Sequence, residues 1–361
     1  MTDNQFDMDY PSKPDFALSV QRLKAWLEGE IVDRVPVNFR LPEVVLPREE
    51  GKSLEDTWMN AEGNVTSFAK SLSRRQLQGE TFPIYCPNLG PWISSVVWGG
   101  RLVFEDTTSY MEEPSFKNYA EIPNKFQINF SGLYFKKIIE MTELSLDIGK
   151  GLFQTGYTDL HGGLDCLSGL RGTENLLMDF YDYPNDVIRV QEMVTQEFIR
   201  MFDYFNTRLR ECGQLSSNWL NLPFAERMHV PSCDTAYMMS PDQFATFEIP
   251  FLIQEMSVMD VNIFHVDGIG VARHIDAILE LPGLNAIQWV QGAGNDKPIL
   301  KWKKLIQKIL DKGKSVIAIL KVKELEGFID AFPDPKGILI YFDESLTEDS
   351  EREVIRRIDR W

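Results

Sequence analysis

His265 and Asp267 stand two residues apart in the run NIFHVDG (262–268). If that run is a strand, the two side chains share one face and Val266 points to the other. An imidazole beside a carboxylate can bind a divalent metal or work as a general acid/base pair, since histidine titrates near neutrality and the carboxylate can orient it. A hydrogen-bonded structural pair is the plain alternative. Cys233 and Asp234, just before the helix start at Ser240 and Pro241, are candidates to complete a site with His265. Cys233 reads as a metal ligand or an inert small residue, and Asp234 as a catalytic group or a turn cap.

Eight short apolar runs, rich in β-branched or aromatic residues, read as the strands that position these groups. They are RVPVNF (34–39), FPIYC (82–86), GLFQTG (151–156), SSNWLNL (216–222), NIFHVDG (262–268), NAIQWV (285–290), SVIAIL (315–320) and GILIYF (337–342). Most gaps between them carry a helix with recognisable ends, such as the stops at Gly213 and Gly313. The longest has Val187, Val190, Val194, Phe198, Met201, Phe205 and Leu209 on one face, a core stripe. Strands alternating with helices predict an α/β chain folded as a (β/α)8 TIM barrel, with a doubly wound sheet as the structural alternative. Residues 1–361 then form a single domain. Phe16, Val20, Leu23 and Leu27 predict an N-terminal helical extension that stops at Gly29, and RLVFEDTTSYM (101–111) predicts a β-ribbon insertion after the second strand, over the barrel mouth.

In such a barrel, functional groups project from the C-terminal ends of the strands. Those positions hold Asn38 and Arg40, Asn88, then Tyr157, Asp159 and His161, then Cys233, Asp234 and Tyr237, then His265 and Asp267, Gln288 and Gln291, and Asp343. Arg40, Asn88, Tyr157, His161, Tyr237 and Gln288 are the expected substrate-binding residues. His265, Asp267 and Asp234 are the expected catalytic groups, and His265, Asp267 and Cys233 the expected metal ligands. His229 and His274 read as solvent-facing or helix-end histidines. The glycines of GIG (268–270) and GAG (292–294) suit either an anionic group or tight turns, and no GxGxxG, GxxxxGK, GxSxG or HExxH pattern occurs.

The chain has 361 residues, 43% hydrophobic and 25% charged, within the globular range. A net charge of −17 repels phosphate backbones, and the basic KWKKLIQK (301–308) is spaced as a solvated helix face, so nucleic acid is not an expected ligand. The polar, acidic start and the lack of a long apolar run predict a cytoplasmic protein without a membrane segment. Four widely spaced cysteines argue against a disulfide framework.

VDRVPV (32–37), LRGTENLLMDFYDYPNDV (170–187), CDTAYMMSPDQFATFEIPFL (233–252) and HVDG (265–268) resemble, in this order, the uroporphyrinogen decarboxylase superfamily. The resemblance spans most of the chain and implies the same (β/α)8 barrel. Where true uroporphyrinogen decarboxylases carry an RQAGRY-type motif, this chain has VNFRLPEVVLP with only Arg40 retained. The resemblance is therefore closer to the corrinoid-linked methyltransferases, whose HxC pair and later cysteine bind zinc. Here His265 and Asp267 stand for that pair, and Gln288 for the cysteine. Such an oxygen-rich set suits a hydroxyl or methoxyl substrate better than a thiol acceptor. The resemblance implies a methyltransferase that holds zinc or another divalent metal and moves a methyl group between a small methylated or methoxylated substrate and a corrinoid carried by a partner protein. The alternative is a decarboxylase or lyase in which Arg40 grips a substrate carboxylate. A homodimer is compatible with either.

Overall fold

Runs that are apolar on both faces become the longest strands. The computed structural model describes residues 10–41, 44, 51–123, 127–292, 294 and 298–361. Its strands are Val37–Phe39 (β1), Ile84–Tyr85 (β2), Leu102–Phe104 (β3), Ser109–Met111 (β4), Gln154–Thr155 (β5), Met228–His229 (β6), Val261–Asp267 (β7), Leu284–Val290 (β8), Ser315–Leu320 (β9) and Ile338–Phe342 (β10). A curled parallel sheet runs in the order β1-β10-β9-β8-β7-β6, and β2 and β5 form a separate parallel pair. Hydrogen bonds outside the ladders link their neighbourhoods: Phe39 N donates to Thr81 Oγ1 at 2.9 Å, and the Tyr157 hydroxyl donates to Met228 O at 2.9 Å. The continuous ladder thus covers six of the strands rather than a full ring. β3 and β4 pair antiparallel as a hairpin.

The fourth strand lies elsewhere than the sequence suggests. Ser216 makes only an isolated antiparallel bridge to Phe224, and the strand that joins the parallel sheet is β6. The 216–224 segment loops back on itself, with Asn221 at φ 56, and sends Trp219, Leu220 and Leu222 into an interior cluster. These side chains are buried without a ladder, which is why their apolarity imitates a strand.

Strand alternation sorts the core into two layers. Ile263, Ala286, Ile317 and Leu339 face inward with Ile84 and Met228. Phe264, Val266, Ile287, Val316, Ala318 and Ile340 face the helices. Among those helices is Pro184–Glu211, whose seven-residue apolar series is buried throughout. Helix Phe16–Leu27 packs Phe16, Leu23 and Trp26 into the inner layer at the N-terminal ends of the strands. There Trp26 Nε1 donates to Gly337 O at 3.0 Å, and Ser315 Oγ donates to Trp26 O at 2.6 Å. Among the described residues, no helix is long and apolar enough to cross a membrane.

Candidate functional site

β7 ends in His265 and Asp267, and period two puts both on the inward face with Ile263. The neighbouring strand places Gln288 in register with His265, whose Nδ1 lies 2.7 Å from Gln288 Oε1. An amide oxygen only accepts, so this bond puts the proton on Nδ1 and leaves the Nε2 lone pair available. Burial lowers the His265 pKa, against opposing help from Gln288 and Asp267, which favours the neutral ring. Trp219 meets this ring edge-on at 5.3 Å.

Asp234 arrives from the turn after β6, and one ligand atom each from Asp234, His265 and Asp267 lie within 4.8 Å of one another. Asp267 Oδ1 is buried with no hydrogen-bond partner among the described residues. Part of Asp234 reaches solvent, yet desolvation and then the Asp165 charge push its pKa up to about 7. One nitrogen and two carboxylates, one of them orphaned, form a donor set suited to a divalent cation.

Beside the cluster, His161 is held through both ring nitrogens, by Asp159 at 2.9 Å and by Ser232 Oγ at 2.9 Å. Burial opposes its charge, but Asp159, Asp165 and Asp234 outweigh burial and raise its pKa to about 9. His161 is therefore an imidazolium at neutral pH.

Gln288 also lines an interior cavity of about 160 Å³, together with Asn38, Trp219, Asn221 and Tyr341. Other expected residues are not among the three converging groups. Arg40 is at the rim, 3.7 Å from Asp343, with both side chains about half exposed. Asn88 is exposed and accepts from Gly90 N in its own turn. Tyr157 is fully buried, its hydroxyl donating to Met228 O at 2.9 Å. Tyr237 packs over Gly270, where a Cβ would come within 2.1 Å of its ring. Gln291 accepts from the Trp302 indole. Cys233 is fully buried, which pushes its thiol pKa well up, and it is not among the three converging groups.

Gly268, at φ +77, turns the chain out of β7, and Gly292 packs against its Cα, so close packing accounts for these glycines. Ala293 lies outside the described residues, as does most of 42–50 after β1. His229 and His274 prove to be buried rather than solvent-facing, and His274 stands at a helix end, as the N-cap of Ile275–Leu279. His229 Nε2 is 2.7 Å from Glu255 Oε1, and His274 Nε2 is 3.0 Å from Ala236 O. Sequence reading also missed Trp219, hidden in the supposed strand, and Asp165, whose partners lie 67 to 70 positions away.

No family model matches the chain, and no curated protein matches it in sequence. A solved structure, a methyltransferase from Methanosarcina mazei, is similar with a TM-score of 0.60 over 95% of this chain and 98% of that chain. Sequence identity is 13%, so the likeness shows a shared fold.

Proposed function

We propose that this chain is a (β/α)8-barrel methyltransferase that moves a methyl group between a small methylated or methoxylated substrate and a corrinoid carried by a separate protein. The observation that carries the reading is the convergence of Asp234, His265 and Asp267 within 4.8 Å at the strands' C-terminal ends. The fold shared with a methyltransferase over 95% of the chain supports it. In this reading β2 and β5 complete the ring begun by the six-stranded sheet.

The three residues would hold zinc or another divalent cation through the His265 Nε2 lone pair and the two carboxylates. When bound, such a cation supplies Lewis-acid stabilisation of the electron pair left on the substrate heteroatom as methyl departs. Gln288 keeps His265 in the tautomer that presents Nε2. The cavity receives the substrate: Asn38, Asn221 and Gln288 offer amides, Trp219 and Leu222 offer apolar wall, and no charged side chain lines it among the described residues. A decarboxylase would place a cation there, whereas Arg40 stands at the rim with Asp343. Tyr237, Met238 and Ile269, each 43–50% exposed on the turns beside the cluster, give a partner protein an apolar landing.

Elemental analysis of wild type, His265→Ala and Asp267→Ala, run alongside demethylation of methoxylated and methylated compounds with a corrinoid protein present, tests the proposal. We expect metal in wild type, loss of turnover in both variants, and reduced metal in Asp267→Ala. Undiminished turnover in both variants would remove the cluster from the mechanism. Turnover that needs no corrinoid acceptor would remove methyl transfer to one.

A further inference from the structure

Asp165 lies in the first turn of helix Gly163–Arg171, outside the cluster of Asp234, His265 and Asp267, and it is bound to the loop that delivers one of them. Its Oδ2 accepts from Ser232 Oγ at 3.1 Å and from Asp234 N at 2.9 Å. Its Oδ1 accepts from Thr235 N at 3.0 Å and from Thr235 Oγ1 at 3.0 Å. Every contact is a donor pointing at the carboxylate, and together they come from three residues of one short loop. From these contacts we infer that Asp165 is a positioning residue: it fixes the 232–235 loop and thereby holds the Asp234 carboxylate beside His265 and Asp267. This inference rests on the proposed reading of that cluster as the reaction centre.

The need for a clamp follows from charge. Asp234 has like charges on two sides, Asp165 behind it and Asp267 across the cluster, and without a bound cation their repulsion drives Asp234 outward toward solvent unless its backbone is held. Asp165 resists that from behind by gripping the Asp234 backbone, which leaves the Asp234 side chain directed at the cluster. The other side of the same turn is pinned by His274 Nε2 on Ala236 O at 3.0 Å and by Tyr237 packed on Gly270. Ser232 ties the clamp to the His161 imidazolium, whose positive charge compensates Asp165. Both His161 nitrogens are engaged, so its role here is to support the clamp.

The bonding pattern also says which substitution is informative. An amide in place of the carboxylate turns an NH2 group toward two of the four donors, so Asp165→Asn breaks the clamp with almost no change in volume. Thr235→Val removes one hydroxyl donor and leaves the backbone bonds, giving a milder lesion if the first variant fails to fold.

The experiment uses the full chain and two readouts: affinity for zinc measured by chelator competition, and amide hydrogen exchange in metal-free protein. Asp165→Asn should weaken zinc binding about 10- to 100-fold. It should speed exchange at 233–238 while β9 stays at the wild-type rate, and Thr235→Val should act in the same direction with smaller effect. Loss of protection spread over β9 as well would show a general loss of packing and overturn the inference. Wild-type zinc affinity and wild-type exchange in Asp165→Asn would also overturn it. If wild type itself binds no zinc, the proposed metal centre fails, and the metal-free exchange then decides for or against the clamp by itself.

Discussion

The two ends of the sheet bury carboxylates in opposite ways. At the N-terminal end Glu80 is fully buried, and both its oxygens are met from within the chain. Arg34 reaches them at 2.8 and 2.9 Å, Arg22 Nη1 at 3.1 Å and Val37 N at 2.6 Å. At the other end Asp267 has a buried oxygen without a partner among the described residues, and Asp234 sits close to it with Asp165 behind. At the N-terminal end the chain gives its buried carboxylate arginines, whereas at the other end Arg40 pairs with Asp343 at the rim instead. The difference separates a carboxylate that serves folding from carboxylates kept available for something the chain does not itself contain.

The largest effect should come from breaking the compensated end. Glu80→Ala leaves Arg34 buried without its close counter-charge, while Arg22 keeps Asp33 at 2.6 Å, and unfolding in denaturant should show a loss of about 3–5 kcal/mol. A loss under about 1 kcal/mol, the usual scale for an exposed pair, would erase the contrast between the ends.

A smaller effect is expected beside the cluster and depends on pH. The folded-state pKa of His161 is raised from 6.5 to about 9, so its contribution to stability is complete below 6.5 and disappears as pH climbs through about 9. Wild type should therefore lose stability between these values more steeply than His161→Gln, as read from urea midpoints across the range. Parallel curves for the two proteins would show that the Asp159–His161–Ser232 chain carries no such coupling.

The smallest effect, and the one of opposite sign, belongs to Asp267. Asp267→Asn removes the charge of a half-buried carboxylate whose Oδ1 has no partner among the described residues, so metal-free protein should keep its stability or gain up to about 1 kcal/mol. Added zinc should raise the melting temperature of wild type and leave the variant's unchanged. A clear destabilisation of metal-free Asp267→Asn would mean that Asp267 already has a structural partner and that the two ends are alike.

Much of this arrangement was legible in the chain. β7 to β10 are buried on both faces, so their unbroken apolar runs stand out, and period two within β7 was enough to set His265 and Asp267 side by side. Ser240 and Pro241 also marked the start of their helix, where Ser240 forms a capping box with Gln243. β6 escaped because it is two residues long, while Leu222 and the partly buried Trp219 nearby pack into the interior without pairing. Asp165 escaped for a different reason. An acidic residue in a first helical turn is ordinary helix chemistry, and only the fold brings Ser232, Asp234 and Thr235 to it.

The bond from Trp26 to Gly337 spans 311 positions, and the one from Ser315 to Trp26 spans 289. Read in time rather than space, the helix that covers the sheet's N-terminal end is made early, meets Glu80 and Phe82 first, and completes its seat only when nearly all the rest exists. At roughly 5–20 residues per second, its Trp26 waits on the order of 15 to 60 s after synthesis before β9 and β10 arrive. Closing a loop of that length also carries a large entropic cost before any contact rewards it. The Phe16–Leu27 helix is therefore an early product whose seat stays unfinished, and a growing chain halted before Gly337 would leave Trp26 to whatever chaperone or neighbouring chain is near.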